Sequence, residues 1–107
     1  MRNNDSWNVF YTEDAEADLQ GILEDILREP AIAANQTDRI MDAVDSLDHM
    51  PFRYSLYDKE PWHSRGLRVL PVDNYLVFYL PIESQGTVAI IRIMYGGRDI
   101  EKHLAEK

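Results

Sequence analysis

Apolar residues recur along the first half of the chain at helical spacing and along the second half in short, nearly continuous blocks. Residues 7–11, Trp-Asn-Val-Phe-Tyr, open with the aromatic and β-branched composition of a strand. Thr12 stands where an N-cap is needed, and Glu13 and Asp14 fall in the first turn, where the positive end of the helix dipole favours acids. Ala15, Leu19, Ile22, Leu23, Ile26 and Leu27 then share one helical face. Gly21 weakens this helix, and Pro30 ends it because its ring and missing N–H break the helical hydrogen-bond pattern. A second helix is predicted over residues 31–47, with Ala33, Thr37, Ile40, Val44 and Leu47 facing inward and Asp38, Asp42, Asp45 and Asp48 turned mostly away. Pro30 suits its first turn and Met50-Pro51 closes it. Two amphipathic helices separated by so tight a break form a helical hairpin.

Residues 52–65 mix aromatics and bases without periodicity and read as a loop, long enough to be functional or mobile. Strand periodicity takes over at Gly66: residues 66–71, a turn at Asp73-Asn74, and residues 75–82, so apolar that they predict a buried central strand. Residues 83–86 form a hairpin loop, and residues 87–95 a further apolar strand interrupted by Arg92, which is expected to be buried and paired or to face an edge. Gly96-Gly97 breaks that strand, and Asp99 caps a final short helix in which Ile100 and Leu104 share a face. The order is β-α-α-β-β-β-α. It describes an α+β domain: an antiparallel sheet of three to four strands packed against an N-terminal helical hairpin, with a short C-terminal helix.

A chain of 107 residues suits one domain over residues 1–107. Its lack of cysteine excludes a disulfide scaffold, a thiol nucleophile and thiolate metal ligation. The longest apolar runs are too short for a membrane span and the N-terminus lacks the apolar core of a signal peptide, so the expected location is the cytoplasm. The net charge of −8 argues against a nucleic-acid-binding surface, but it is unevenly spread. Residues 1–50 carry 3 basic and 12 acidic side chains, or −9, whereas residues 51–107 carry 8 and 7, or +1. The acidity reads either as a solvated helical face or as the side turned away from an anionic target.

Four local signatures occur in order along nearly the whole chain. They are a strand running into Thr12-Glu13-Asp14-Ala15-Glu16-Ala17-Asp18-Leu19; a helix from Ile40 to Leu47 ending in Met50-Pro51; Gly66-Leu67-Arg68-Val69-Leu70 before Asn74-Tyr75-Leu76-Val77-Phe78-Tyr79; and Val88 to Met94 running into Tyr95-Gly96-Gly97-Arg98-Asp99-Ile100. Together they resemble the RelE/ParE family of toxins of type II toxin–antitoxin systems. The resemblance implies a cognate antitoxin whose extended segment wraps the toxin and folds as it binds. It also implies a role: the leading expectation is a RelE-like endoribonuclease that cuts mRNA on the ribosome, and the alternatives are a ParE-like inhibitor that poisons DNA gyrase without catalysis and an inactive relative. Cleavage by the RNA 2′-hydroxyl needs a base, an acid and positive charge near the phosphorane, with neither metal nor cofactor.

The candidate residues follow from that need. Arg98, after a glycine turn, matches the family arginine that stabilises the transition state; its structural alternative is an ion pair with a neighbouring acid. Arg68 projects from its strand opposite Leu67 and Val69, as a phosphate contact, a solvent-facing arginine or a salt-bridge partner. His103, and less directly His63, is the candidate proton shuttle. Arg53, His63 and Arg65, interleaved with Tyr54, Tyr57 and Trp62, could grip single-stranded RNA, or the aromatics could pack on the core. His103 and Glu101 fall on different sides of the last helix. RelE-like enzymes commonly carry a tyrosine near the position of Leu104, where His103 is the nearby substitute; this departure and the low base content favour the gyrase reading, whereas His63, His103 and the Arg68–Arg98 pair favour the endoribonuclease.

Overall fold

The computed structural model describes residues 6–25, 29–97 and 100–105. Strand β1 (Asn8–Tyr11) leads into α1 (Glu13–Leu23) and α2 (Pro30–Asp45); α3 (Trp62–Arg65) is a single turn; β2 (Arg68–Val72), β3 (Tyr75–Ile82) and β4 (Thr87–Tyr95) follow, then α4 (Ile100–Ala105). The expected α+β architecture is present. Ile26 and Leu27, assigned to the first helical stripe, and the Asp99 cap lie outside the described residues.

Thr12 caps α1 as its position suggests: its hydroxyl oxygen accepts from the Ala15 amide at 3.2 Å. The same hydroxyl lies 2.8 Å from the Ile90 carbonyl, to which it donates, so the cap also pins the helix to β4. Helix α2 stops at Asp45, and a 3-10 turn, Ser46–Asp48, carries Leu47 on into the core.

The sheet has the order β1-β4-β3-β2. Strands β2, β3 and β4 form the antiparallel meander, but β1 runs parallel to β4, with Asn8 opposite Thr87 and Tyr11 opposite Ile90. The sheet is therefore mixed, though mostly antiparallel. A parallel pair needs a long crossover, and here everything from α1 to β3 separates the two partners. Between Phe78 and Tyr79 the β3–β4 register slips, leaving Ile91 as the extra residue of a bulge.

Both faces of the sheet are covered. Ala15, Ile22, Ile40, Val44 and Leu47 pack on Val77, Tyr79, Val88, Ile90 and Ile93 on one side. Ile100 and Leu104 of α4 pack with Leu67, Phe78 and Met94 on the other. Burial on two faces is why β3 reads as an almost unbroken apolar run.

The segment expected as an irregular loop is partly ordered by the sheet. Leu56 bridges Arg68, the Tyr57 amide donates to the Leu67 carbonyl at 2.8 Å, and the Val69 amide donates to the Ser55 carbonyl at 3.0 Å. These contacts cover the first half of the outer edge of β2; further along, Pro71 offers no N–H to a new strand. Among the described residues, no helix is long and apolar enough to cross a membrane.

Candidate functional site

The structure sorts the candidate cations into three settings. The first is the start of β2. Arg68 donates from Nη1 to the carbonyls of Phe52 (3.0 Å) and Tyr54 (2.6 Å), and its guanidinium lies 5.1 Å from the centre of the Phe52 ring. Its Nε is buried with no hydrogen-bond partner. Arg53 turns back onto the end of the helical hairpin, donating to the carbonyls of His49 and Met50 and to the Ser46 hydroxyl at 3.1 Å, while it stacks over Tyr54. Both arginines hold the turn after α2. Tyr79, whose hydroxyl donates to the Pro51 carbonyl at 2.7 Å, fastens the same turn from inside the core, and burial pushes that phenol up to about 12.

The second setting is α3. His63 and Arg65 are exposed on this one turn. The His63 ring is 3.6 Å from Glu60, whose carboxyl is held below the usual range chiefly by hydrogen bonds from Ser64. The neighbouring aromatics face inward. Trp62 and Tyr57 meet edge to face at 6.2 Å, and Tyr57 meets Phe78 in the same way at 5.4 Å, so neither ring is offered as an open stacking plate.

The third setting lies around α4. Tyr57 donates to Glu101 at 2.8 Å. Burial, and then this bond, push the phenol up, while the same bond holds the Glu101 carboxyl below its ordinary value. The His103 carbonyl accepts from Arg92 Nη1 at 3.0 Å, and His103 lines a cleft between α4, α1 and the end of β4. Arg98, the residue singled out most strongly by the sequence, lies outside the described residues, just after Gly97.

The cleft exists because two strands end at different places. Strand β1 stops at Tyr11, opposite Ile90, whereas β4 continues to Tyr95. The exposed edge beyond Ile90 is capped by side chains. Asp18 of α1 accepts from Arg92 Nε at 2.7 Å and Nη2 at 2.9 Å, and from the Ile93 amide at 2.9 Å. Arg92 is thus paired, as an arginine inside an apolar strand must be. Its partner was not assigned from the sequence; the only available signal was an acid on α1 at a position that could face the sheet. Among the described residues, no cluster of three or more His, Asp or Glu side chains is placed to hold a metal ion.

Comparison with known proteins places this architecture. The family model of the ParE toxin of type II toxin–antitoxin systems (parDE) matches residues 9–100. No curated protein matches the chain. Among solved structures, the chain is similar to the chromosomal ParDE toxin–antitoxin system from P. aeruginosa, with 21% identity over 84% of this chain and 96% of that one and a TM-score of 0.69. It is similar to the RelBE2 toxin–antitoxin complex from Mycobacterium tuberculosis, with 22% identity over 84% and 98% and a TM-score of 0.60. A mutant of E. coli toxin RelE in the free state shares 10% identity over 94% of each chain, with a TM-score of 0.53. At these identities the structural likenesses establish the fold alone. The family match, which runs from β1 through the whole sheet to the first residue of α4, shows that the chain belongs to the ParE toxin family of type II toxin–antitoxin systems.

Proposed function

We propose that this protein is the toxin of a type II pair, neutralised by a cognate antitoxin, and that it inhibits growth by binding DNA gyrase with no nucleic-acid cleavage of its own. The observation that carries this reading is how the candidate cations are employed. Arg68 and Arg53 spend their guanidinium groups on backbone carbonyls of the turn after α2. An arginine committed in this way holds a fold together; a cleavage site needs donors aimed at the position where phosphorane charge develops. The overall charge of −8 and the leucine at position 104 also favour a protein target over an RNA one. A specific feature favours a second reading, a ribosome-dependent mRNA endoribonuclease: His63 and Arg65 are exposed together on α3, an imidazole able to move a proton beside a cation able to grip phosphate.

One pair of assays tests the choice. The protein should block supercoiling by purified gyrase and leave a reporter mRNA intact in cell-free translation. Cut mRNA with normal supercoiling would overturn the proposal in favour of the endoribonuclease. Arg98 remains the proposed functional cation under both readings. Arg98→Ala should weaken target inhibition at least about tenfold, equivalent to about 1.4 kcal/mol of lost binding, with the denaturation midpoint unchanged.

A further inference from the structure

The turn after α2 is braced from three directions, and what it carries outward is apolar. Four consecutive carbonyls, from His49 to Phe52, are each held by a side chain. Arg53 donates to the first two, and its amide also donates to the Met50 carbonyl at 3.1 Å. Tyr79 holds the Pro51 carbonyl at 2.7 Å from inside the core, and Arg68 holds that of Phe52 at 3.0 Å. Water can serve a surface carbonyl; side chains that take its place fix the backbone as well.

Met50 stands at the tip with φ of 48° and ψ of 57°, a left-handed conformation that a glycine or asparagine enters at lower cost. Its side chain is nonetheless 72% exposed, and that of Phe52 is 44% exposed. The Phe52 ring is fixed in place, meeting Trp7 edge to face at 5.6 Å and lying 5.1 Å from the Arg68 guanidinium. The result is a rigid, convex knuckle that holds two apolar side chains out to solvent on a strained backbone. Strain kept at an exposed position contributes nothing to stability and marks a surface used for something else.

We propose that this knuckle is the point at which the protein enters its target, DNA gyrase, in a concave apolar socket with an acidic rim. The proposal deepens the gyrase reading above and rests on it. Shape and rigidity call for a folded partner. An extended chain pairs with strand edges or lies in grooves, whereas a preorganised projection fits a preformed cavity and spends little on ordering. Charge calls for an acidic rim: from Met50 to Tyr57 the single charged residue is Arg53, in a chain of net charge −8. Phe52 is no stacking plate for a nucleic-acid base, because Arg68 and Trp7 already engage its ring.

The test uses the intact toxin, purified gyrase and, as a second probe, the product of the open reading frame adjoining the toxin gene. Met50→Asn suits the left-handed backbone, so its thermal midpoint should be no lower than that of wild type. It should inhibit supercoiling at least about tenfold more weakly while binding the second probe as wild type does. Met50→Glu should weaken inhibition further than Met50→Lys, because the rim repels an acid. Peroxide should oxidise Met50 at least about tenfold more slowly in the gyrase complex than in the free toxin, while Met41, exposed on α2, keeps its rate. Unchanged inhibition by folded Met50→Asn, or unchanged oxidation of Met50 with gyrase bound, overturns the proposal. So does weaker inhibition by Met50→Lys than by Met50→Glu. Loss of binding to the second probe by Met50→Asn would give the knuckle to the antitoxin, and self-association of wild type that Met50→Asn abolishes would give it to a second copy; either result also overturns the proposal. Should Met50→Asn not fold, the oxidation of Met50 decides alone. Failure of the wild type to bind or inhibit gyrase would overturn the gyrase reading itself, and the proposal with it.

Discussion

Asp18 performs three tasks with one carboxylate. It neutralises Arg92, supplies that guanidinium with two acceptors, and takes the Ile93 amide that β1 is too short to reach. Arg92 in turn holds the His103 carbonyl, so the pair links α1 through β4 to α4. Both side chains are only 16% exposed, which shields the pair from much of the solvent screening that makes surface ion pairs weak. Asp18→Ala should therefore lower stability by about 3 kcal/mol, because it leaves a largely buried guanidinium and a strand amide short of acceptors. Asp18→Asn, which keeps one acceptor oxygen, should cost less. Urea unfolding measures both, and a wild-type midpoint for Asp18→Ala would refute the structural role. It was legible in the sequence that Arg92, amid Ile90, Ile91 and Ile93, either faces an edge or takes a buried partner. Its identity was not, because Asp18 lies 74 positions away and pairing at that range depends on where β1 ends.

Between elements, the second bolt joins α2 to the β2–β3 turn. Asp73 sits in that turn with φ of 55°, a left-handed conformation that Asp and Asn tolerate better than most residues. Its carboxylate receives Arg39 Nε and Nη2, each at 2.7 Å, and Gln36 at 3.0 Å. The hydrogen bonds from Arg39, then that from Gln36, hold it down to about 2, against an ordinary 3.8. A depressed carboxyl contributes stability that is fully present above its unfolded value and is lost as pH falls through the folded one. Asp73→Asn, which suits the same turn, should thus unfold more easily than wild type at neutral pH. The difference in thermal midpoint should shrink below about pH 4 and vanish near pH 2. A gap constant down to pH 2 would show that the carboxylate charge contributes nothing. Element identities were legible wherever periodicity carried them: the Thr12 cap, the helical hairpin and the two long strands all follow from local pattern. The parallel placement of β1 was not legible, nor were the tasks of Arg53 and Arg68. Both depend on distant backbone: the edge of β4 in one case, and in the other the carbonyls of Phe52 and Tyr54, which no spacing of side chains encodes.

At the scale of the whole molecule, charge and fold divide along the same line. The −9 of residues 1–50 lies mostly on α1 and α2, which cover one face of the sheet, while the +1 of residues 51–107 belongs to the meander, its loops and α4. An acidic helical layer gives a basic partner two kinds of attraction. Long-range steering toward the helices acts before contact, and short-range packing and hydrogen bonding act after it. These separate kinetically. Raising the salt concentration from about 50 to about 500 mM shortens the screening length to a few ångströms, so the association rate with the antitoxin should fall about tenfold or more. The dissociation rate, set by short-range contacts, should change by less than about threefold. Stopped-flow mixing for association and competition for dissociation measure the two independently. An association rate indifferent to salt would remove steering from the account and leave the acidic layer as a solvated face. A strongly salt-dependent dissociation rate would mean that the bound state itself is held by exposed ion pairs and not by short-range packing.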